Sequence, residues 1–151
     1  MIGAEIKDVR GYFEQFTEDS EDLQAFLYGE IRHKLDAVNS TIKRYPVMVM
    51  DQPNVRTTIR GGVYYNTYNM GISIVEKVKD GSLKAHAAAS DRTFTLLGKL
   101  IKQLIADQRQ YNFTHSPLAF DNDEVDTNLV ADHVGWRTEF QLMLACGNWV
   151  R

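Results

Sequence analysis

Residues 134–144, VGWRTEFQLML, alternate without a break: Val134, Trp136, Thr138, Phe140, Leu142 and Leu144 share one parity, and Gly135, Arg137, Glu139 and Gln141 the other. A helix would space its apolar positions three and four apart, so a period of two predicts a long antiparallel strand, buried on one face and wet on the other. Such a strand needs partners. The stretch VYYNTYNMGISIVEKV (63–78) supplies one, with Tyr64, Tyr68, Met70, Ile72 and Ile74 on one parity and Val63, Tyr65, Val75 and Lys77 on the other. Gly61-Gly62 opens it and Asp80-Gly81 closes it as turn signals. YPVMVM (45–50), almost wholly apolar, reads as a strand buried on both faces, ended by the turn residues DQPN (51–54).

Two segments carry helical spacing. In residues 3–17, Ile6, Val9, Phe13 and Phe16 form one stripe, weakened by Gly11 and terminated by TEDSED (17–22). Residues 83–108 form the strongest helix, with Phe94, Leu97, Ile101, Leu104 and Ile105 as its stripe and Ser90 or Asp91 able to cap a later start. Residues 23–35 fit either a helix, through Leu23, Phe26, Leu27, Ile31 and Leu35, or a strand interrupted at Gly29. Residues 111–128 read as a polar, proline-containing connection. The expected fold is therefore α+β: a mixed, mainly antiparallel sheet with one long helix and an N-terminal helix packed on it. At 151 residues the chain fits a single domain, with 1–40 as N-terminal helix and connecting segment and 41–151 as sheet-plus-helix core. A domain of this size hides roughly 70% of its extended surface.

Composition excludes several classes. Apolar residues at 44% and charged residues at 25% exclude bulk disorder, and no window reaches the roughly 18–20 apolar residues of a membrane span. The start MIGAEIKDVR lacks a basic region followed by an apolar one, so a soluble protein made in a reducing compartment is expected. Cys146 is the single cysteine, which excludes an internal disulfide and a structural zinc site built on cysteines; an inert buried thiol is expected.

No constellation for catalysis or metal binding emerges, and no cofactor is implied. None of His33, His86, His115 and His133 lies in an HExxH frame. Asp132-His133 pairs a carboxylate with an imidazole, but adjacent strand residues point to opposite faces. DNDEVD (121–126) begins like a calcium loop at Asp121 and Asp123, then fails at Val125 and at Asp126, where the loop needs glycine. It reads as a solvated acidic segment. Gly61-Gly62 precedes a strand, so it lacks the helix N-terminus of a phosphate cradle. Tyr64, Tyr65 and Tyr68 beside Arg56 and Arg60 have the ingredients of a base-stacking platform, although aromatics on strands more often serve a core or an interface.

Charge is distributed in blocks. The net −3 divides into an acidic start (six basic, nine acidic in 1–44), a basic middle (nine and five in 45–116) and an acidic end (two and six in 117–151). Blocks of opposite sign can face each other between copies in an assembly.

An N-terminal helix is followed by AFLYGE (25–30), YPVMVM (45–50), YNMGISIVEKVKDG (68–81), TFTLLGKLIKQLI (93–105) and DHVGWRTEFQLML (132–144). In this order the chain resembles the tail-terminator and tail-completion (neck ring) proteins of tailed bacteriophages, especially those of Bacteroidetes hosts. The resemblance implies a strand over 24–32 and a non-enzymatic virion subunit. Such a subunit joins its copies edge to edge around a DNA channel, stacked coaxially between portal and tail. It carries over no catalytic residue. The basic-to-acidic alternation and the aromatic ending CGNWVR (146–151) depart from it.

These readings together predict subunit contacts in which acidic Glu5, Asp8, Glu14, Glu18, Asp121, Asp123, Glu124 and Asp126 meet basic Arg56, Arg60, Lys77, Lys79 and Lys84. Tyr111 and Trp149 are the expected aromatic anchors. Expected partners are the chain itself, portal or connector and tail-tube proteins, and DNA only by non-specific proximity; no membrane is expected. Two rivals belong to other classes: a small enzyme built on dispersed residues such as His115, Asp132 and His133, and an adaptor or inhibitor with one exposed apolar patch.

Overall fold

A computed structural model describes residues 5–29, 44–78, 81–111, 118–125 and 132–146. Its spine is an antiparallel pair of long strands, β4 (Val63–Lys77) and β6 (His133–Ala145), in register from Tyr65↔Ala145 to Lys77↔His133. β5 (Asp121–Glu124) pairs antiparallel with β6 on its other side. The opposite side of β4 takes two strands in succession: β2 (Val47–Met50) along Ile72–Val75 and β3 (Asn54–Arg60) along Val63–Asn69, both antiparallel. β1 (Ala25–Tyr28) adds to β2 in parallel. The order is β1-β2-β4-β6-β5, with β3 off the path on β4. The α+β class expected from the sequence is the class observed.

Among the described residues two helices cover one face. α1 (Ile6–Asp19) starts where the Glu5 N–H donates to the Asp8 carboxylate at 3.3 Å, and it ends at Ser20, whose extended backbone breaks the helical path. α2 (Leu83–Tyr111) is capped by Ser82, whose Oγ accepts the Ala85 N–H at 3.1 Å. Ser90 and Asp91 therefore lie inside the helix and cap nothing. Val9 and Phe13 of α1, with Leu96, Leu97, Leu100 and Leu104 of α2, pack on Met48, Met50, Tyr68, Met70, Ile72, Ile74, Phe140, Leu142 and Leu144 of the sheet. The stripe expected on α2 is rotated from the observed one: Phe94 is largely exposed, and the buried face runs through Ala89, Thr93, Leu96, Leu97, Leu100 and Leu104. On the opposite, outer face Val47, Val49 and Val75 form a smaller apolar cluster, so β2 is buried on both sides as its composition predicts. Of residues 23–35, Ala25–Tyr28 is strand, and the part from 30 lies outside the described residues.

Gly135 is required by close approach. A Cβ there would stand 2.0 Å from the Ile74 carbonyl oxygen and 2.8 Å from the Val75 Cα, both backbone atoms that cannot move aside without opening the β4–β6 ladder. Gly11 is the opposite case, an exposed helical position with nothing within 4 Å of its missing Cβ. Gly135→Ala should lower unfolding stability in a urea titration by about 3 kcal/mol, the upper end of the cost of overpacking. Gly11→Ala should raise it by about 0.5–1 kcal/mol. A neutral Gly135→Ala would contradict the register of the central pair.

Candidate functional site: the two edges of the sheet

The hairpin β3–β4 turns at Gly61-Gly62, both at positive φ (56° and 77°), as a two-residue hairpin turn needs. Among the described residues β3 pairs only with β4 and β5 only with β6, so the outward edges of both strands carry unpaired backbone groups. Side-chain parity follows from the register. On β3, Val55, Thr57 and Ile59 share the helix face with Tyr68, Asn66 and Tyr64, whereas Arg56, Thr58 and Arg60 share the outer face with Thr67, Tyr65 and Val63. On β5, Asp121 and Asp123 lie on the outer face across from Glu139 and Arg137, and Asn122 and Glu124 lie on the helix face across from Thr138 and Trp136.

The two edges differ in charge and share apolar exposure. β3 carries two arginines and no acid, and neither arginine makes an ion pair among the described residues. β5, DNDE, is acidic and exposed throughout. Among the described residues the exposed large apolar side chains are Val55, Ile59 and Val63 on the β3–β4 hairpin, and Leu83 and Phe94 on α2. Leu83 and Phe94 fall on the α2 stripe that contains Ser90, and at Ser90 and Phe94 this stripe meets Glu124 of β5 and Trp136 of β6. Ser90 Oγ donates to Glu124 Oε1 at 2.8 Å and accepts the Trp136 indole N–H at 3.1 Å, while Phe94 packs edge-on against Trp136 at 4.8 Å between ring centroids.

The residues expected to form contacts are therefore sorted by the fold. Arg56 and Arg60 share the outer face of β3, and Asp121, Asp123 and Glu124 belong to β5. Lys77 ends β4 across from His133, and Lys84 sits exposed in the first turn of α2, so neither joins the β3 arginines. Lys79, Asp126 and Trp149 lie outside the described residues, as does the side chain of Tyr111, the last residue of α2. The acids of α1 are engaged locally: Glu5 with Lys7 at 3.2 Å, Asp8 at the helix start and Glu14 with Arg10 at 3.8 Å, leaving Glu18 exposed. The acidic segment 121–124 is an edge strand and not the expected loop, because β6 offers an unpaired edge for it to join.

Elsewhere the titratable groups hold the fold together. On the outer face Arg137 lies over Gly71, where a Cβ would meet its guanidinium at 2.3 Å, and it pairs with Asp51 at 2.5 Å and with Glu139 at 3.3 Å. This ties the turn between β2 and β3 to the central ladder. His133 is buried with Nε2 3.1 Å from the Tyr45 hydroxyl, and burial pushes the Tyr45 phenol up. Asp132 stands on an exposed turn at φ 62°, and His115 lies outside the described residues, so the dispersed enzyme site is not assembled among those described. Burial also pushes the Cys146 thiol up. The tyrosine platform is split: Tyr68 is core, and Tyr64 and Tyr65 point to opposite faces. Among the described residues no group of three or more His, Cys, Asp or Glu is placed to hold a metal ion, and no helix is long and apolar enough to cross a membrane.

Sequence reasoning missed β3 and the apolar exposure at both edges. The available signal was NVRTTIR, rich in β-branched residues and followed by Gly61-Gly62, a hairpin turn. No family model matches the chain, and no curated protein matches it.

The strongest phenol perturbation joins the two helices: Tyr12 donates to Asp107 Oδ2 at 2.5 Å, and Gln103 donates to the other oxygen at 3.0 Å. Burial first, then the Asp107 carboxylate, pushes the Tyr12 phenol far above its ordinary value of 10.0. A raised phenol favours the folded state below the unfolded value and loses that contribution as pH rises past it, because the unfolded chain then releases a proton the folded chain keeps. Tyr12→Phe should cost about 1–2 kcal/mol at neutral pH. It should also flatten the loss of stability above about pH 10 in a pH series of denaturant titrations.

Proposed function

We propose that this chain is a structural subunit that works by joining copies of itself, edge to edge, into a ring. The carrying observation is that two edge strands of one sheet, β3 and β5, bear opposite charge, with exposed apolar side chains on the β3–β4 hairpin (Val55, Ile59, Val63) and exposed Phe94 of α2 against Trp136, next to β5. Two unlike edges make a heterologous contact, which generates rings or filaments and not a closed twofold dimer. An adaptor with one binding patch would not need two. The resemblance of the sequence to phage tail-terminator and tail-completion proteins gives the assembly its setting. The ring is a head–tail connector in the virion, docked between portal and tail-tube proteins, with DNA passing through without sequence-specific contact. The subunit performs no catalysis and is made in the host cytoplasm.

Size-exclusion chromatography with light scattering over a concentration series tests this reading. A single discrete multiple of 17.3 kDa is expected at high concentration. Its assembly should shift to higher protein concentration in about 1 M salt, where the screening length falls to roughly 3 Å. A monomer at every concentration, or assembly indifferent to salt, would overturn it.

A further inference from the structure

We infer that β3 of one copy pairs antiparallel with β5 of the next, so that the sheet runs on from copy to copy with Arg56 and Arg60 set against Asp121 and Asp123. This inference rests on the self-association reading above and adds which strands meet and how. Three observations carry it.

The first is direction. β3 opposes β4, β4 opposes β6 and β6 opposes β5, so β5 runs with β4 and against β3. A second copy laid alongside with its helices on the same side brings its β3 antiparallel to the first copy's β5. Backbone groups unpaired on both edges then complete one ladder.

The second is parity. Both arginines of β3 and both aspartates of β5 lie on the outer face. With Thr58 opposite either aspartate, one arginine stands directly across from an aspartate, at about 5 Å between Cβ atoms, and the other stands on a diagonal at about 7 Å. On the helix face exposed Val55 stands across from Glu124 when Thr58 faces Asp121, and Val55 and Ile59 both stand diagonal to it when Thr58 faces Asp123, which turns them towards Phe94 and Trp136.

The third is exclusion. Pairing β3 with β3 would align arginines, and pairing β5 with β5 would align carboxylates, so repulsion removes both symmetric alternatives. Of the pairings that β3 and β5 can make with each other or with themselves, only the unlike pair remains.

A charge exchange tests this. Variant A carries Arg56→Glu and Arg60→Glu, which makes both its edges acidic; variant B carries Asp121→Lys and Asp123→Lys, which makes both basic. All four positions are exposed. Each variant alone should require at least about 100-fold higher concentration than the wild type to assemble, since like-charge juxtaposition at an interface costs several kcal/mol. An equimolar mixture of A and B should regain the wild-type mass as an alternating assembly, and a chain carrying all four substitutions should assemble by itself. Regained mass in the mixture also shows that both variants are folded. Wild type that assembles while A or B alone does so equally well, or while the mixture stays dissociated, overturns this strand pairing and leaves the self-association reading in place. A wild type that stays monomeric defeats that reading itself.

Discussion

The ladder between Tyr65–Lys77 and His133–Ala145 is the constraint from which the rest of the molecule follows. Once two strands of this length are in register, every side chain on them is assigned to a face. One face receives Met70, Ile72, Ile74, Phe140, Leu142 and Leu144 and must be covered by helices, whereas the other receives Asn69, Gly71, Arg137, Glu139 and Gln141 and is polar apart from the small apolar cluster at Val75. A slip of one residue would exchange the two sets, so the apolar alternation fixes the register strongly. Gly135 permits the close backbone approach at one end of the ladder. Near its middle Gly71 leaves room for the Arg137 guanidinium to lie flat and reach Asp51. That ion pair pins the point where the chain leaves β2 and starts β3, so the free edge strand inherits its position from the central ladder.

Exposed ion pairs contribute only about 0–1 kcal/mol each, so charges on β3 and β5 are too weak to hold an assembly alone. Their effect in the proposed ring is selection. They oppose like-with-like edges and favour the unlike pair, while the ladder hydrogen bonds and the burial of Val55, Ile59 and Phe94 supply the attraction, at about 25 cal/mol per Å² of apolar surface covered. This division of labour explains why salt would weaken the contact in the proposed assembly even though its larger part is apolar.

Much of this fold was legible in the residues because burial on one face writes itself into alternation. β6 matches its alternating pattern from Thr138 to Ala145, while His133–Arg137 is buried or half-buried on both faces, and VMVM reads correctly as a strand with no wet side. Where neither face is buried, that signal is absent. β3 is exposed at nearly every position, so only its β-branched composition and the following Gly-Gly mark it. DNDE has about the poorest intrinsic preference for a strand, and it is one because β6 imposes the pairing, a tertiary effect that local propensity does not contain. On α2 the spacing established a helix, yet apolar residues on both flanks of the stripe left its phase open, and Phe94 fell outside the core, over Trp136. The charge blocks were visible as sums. A sum has no parity, however: it cannot tell that Glu5, Asp8 and Glu14 are engaged locally, or that Lys77 and Lys84 stand apart from the β3 arginines.

The position of the two edges along the sheet bears on whether unlike edges close a ring or run on as a filament. β3 lies beside Val63–Asn69 of β4, whereas β5 lies beside Trp136–Glu139 of β6, which is level with Gly71–Ile74 of β4. A copy added in the proposed pairing is therefore displaced along the strands by six or eight residues, roughly 20–27 Å at the usual rise. In a closed sheet such a stagger is taken up by tilting the strands against the axis, and the right-handed twist between neighbouring strands turns each copy relative to the last. Tilt and twist must together return the last copy to the first. The copy number is then set by that geometry, because every junction is the same, and a ring whose junctions are identical loses two of them when one subunit leaves. A filament end loses only one, so closure is what turns contacts of modest individual strength into a stable collar.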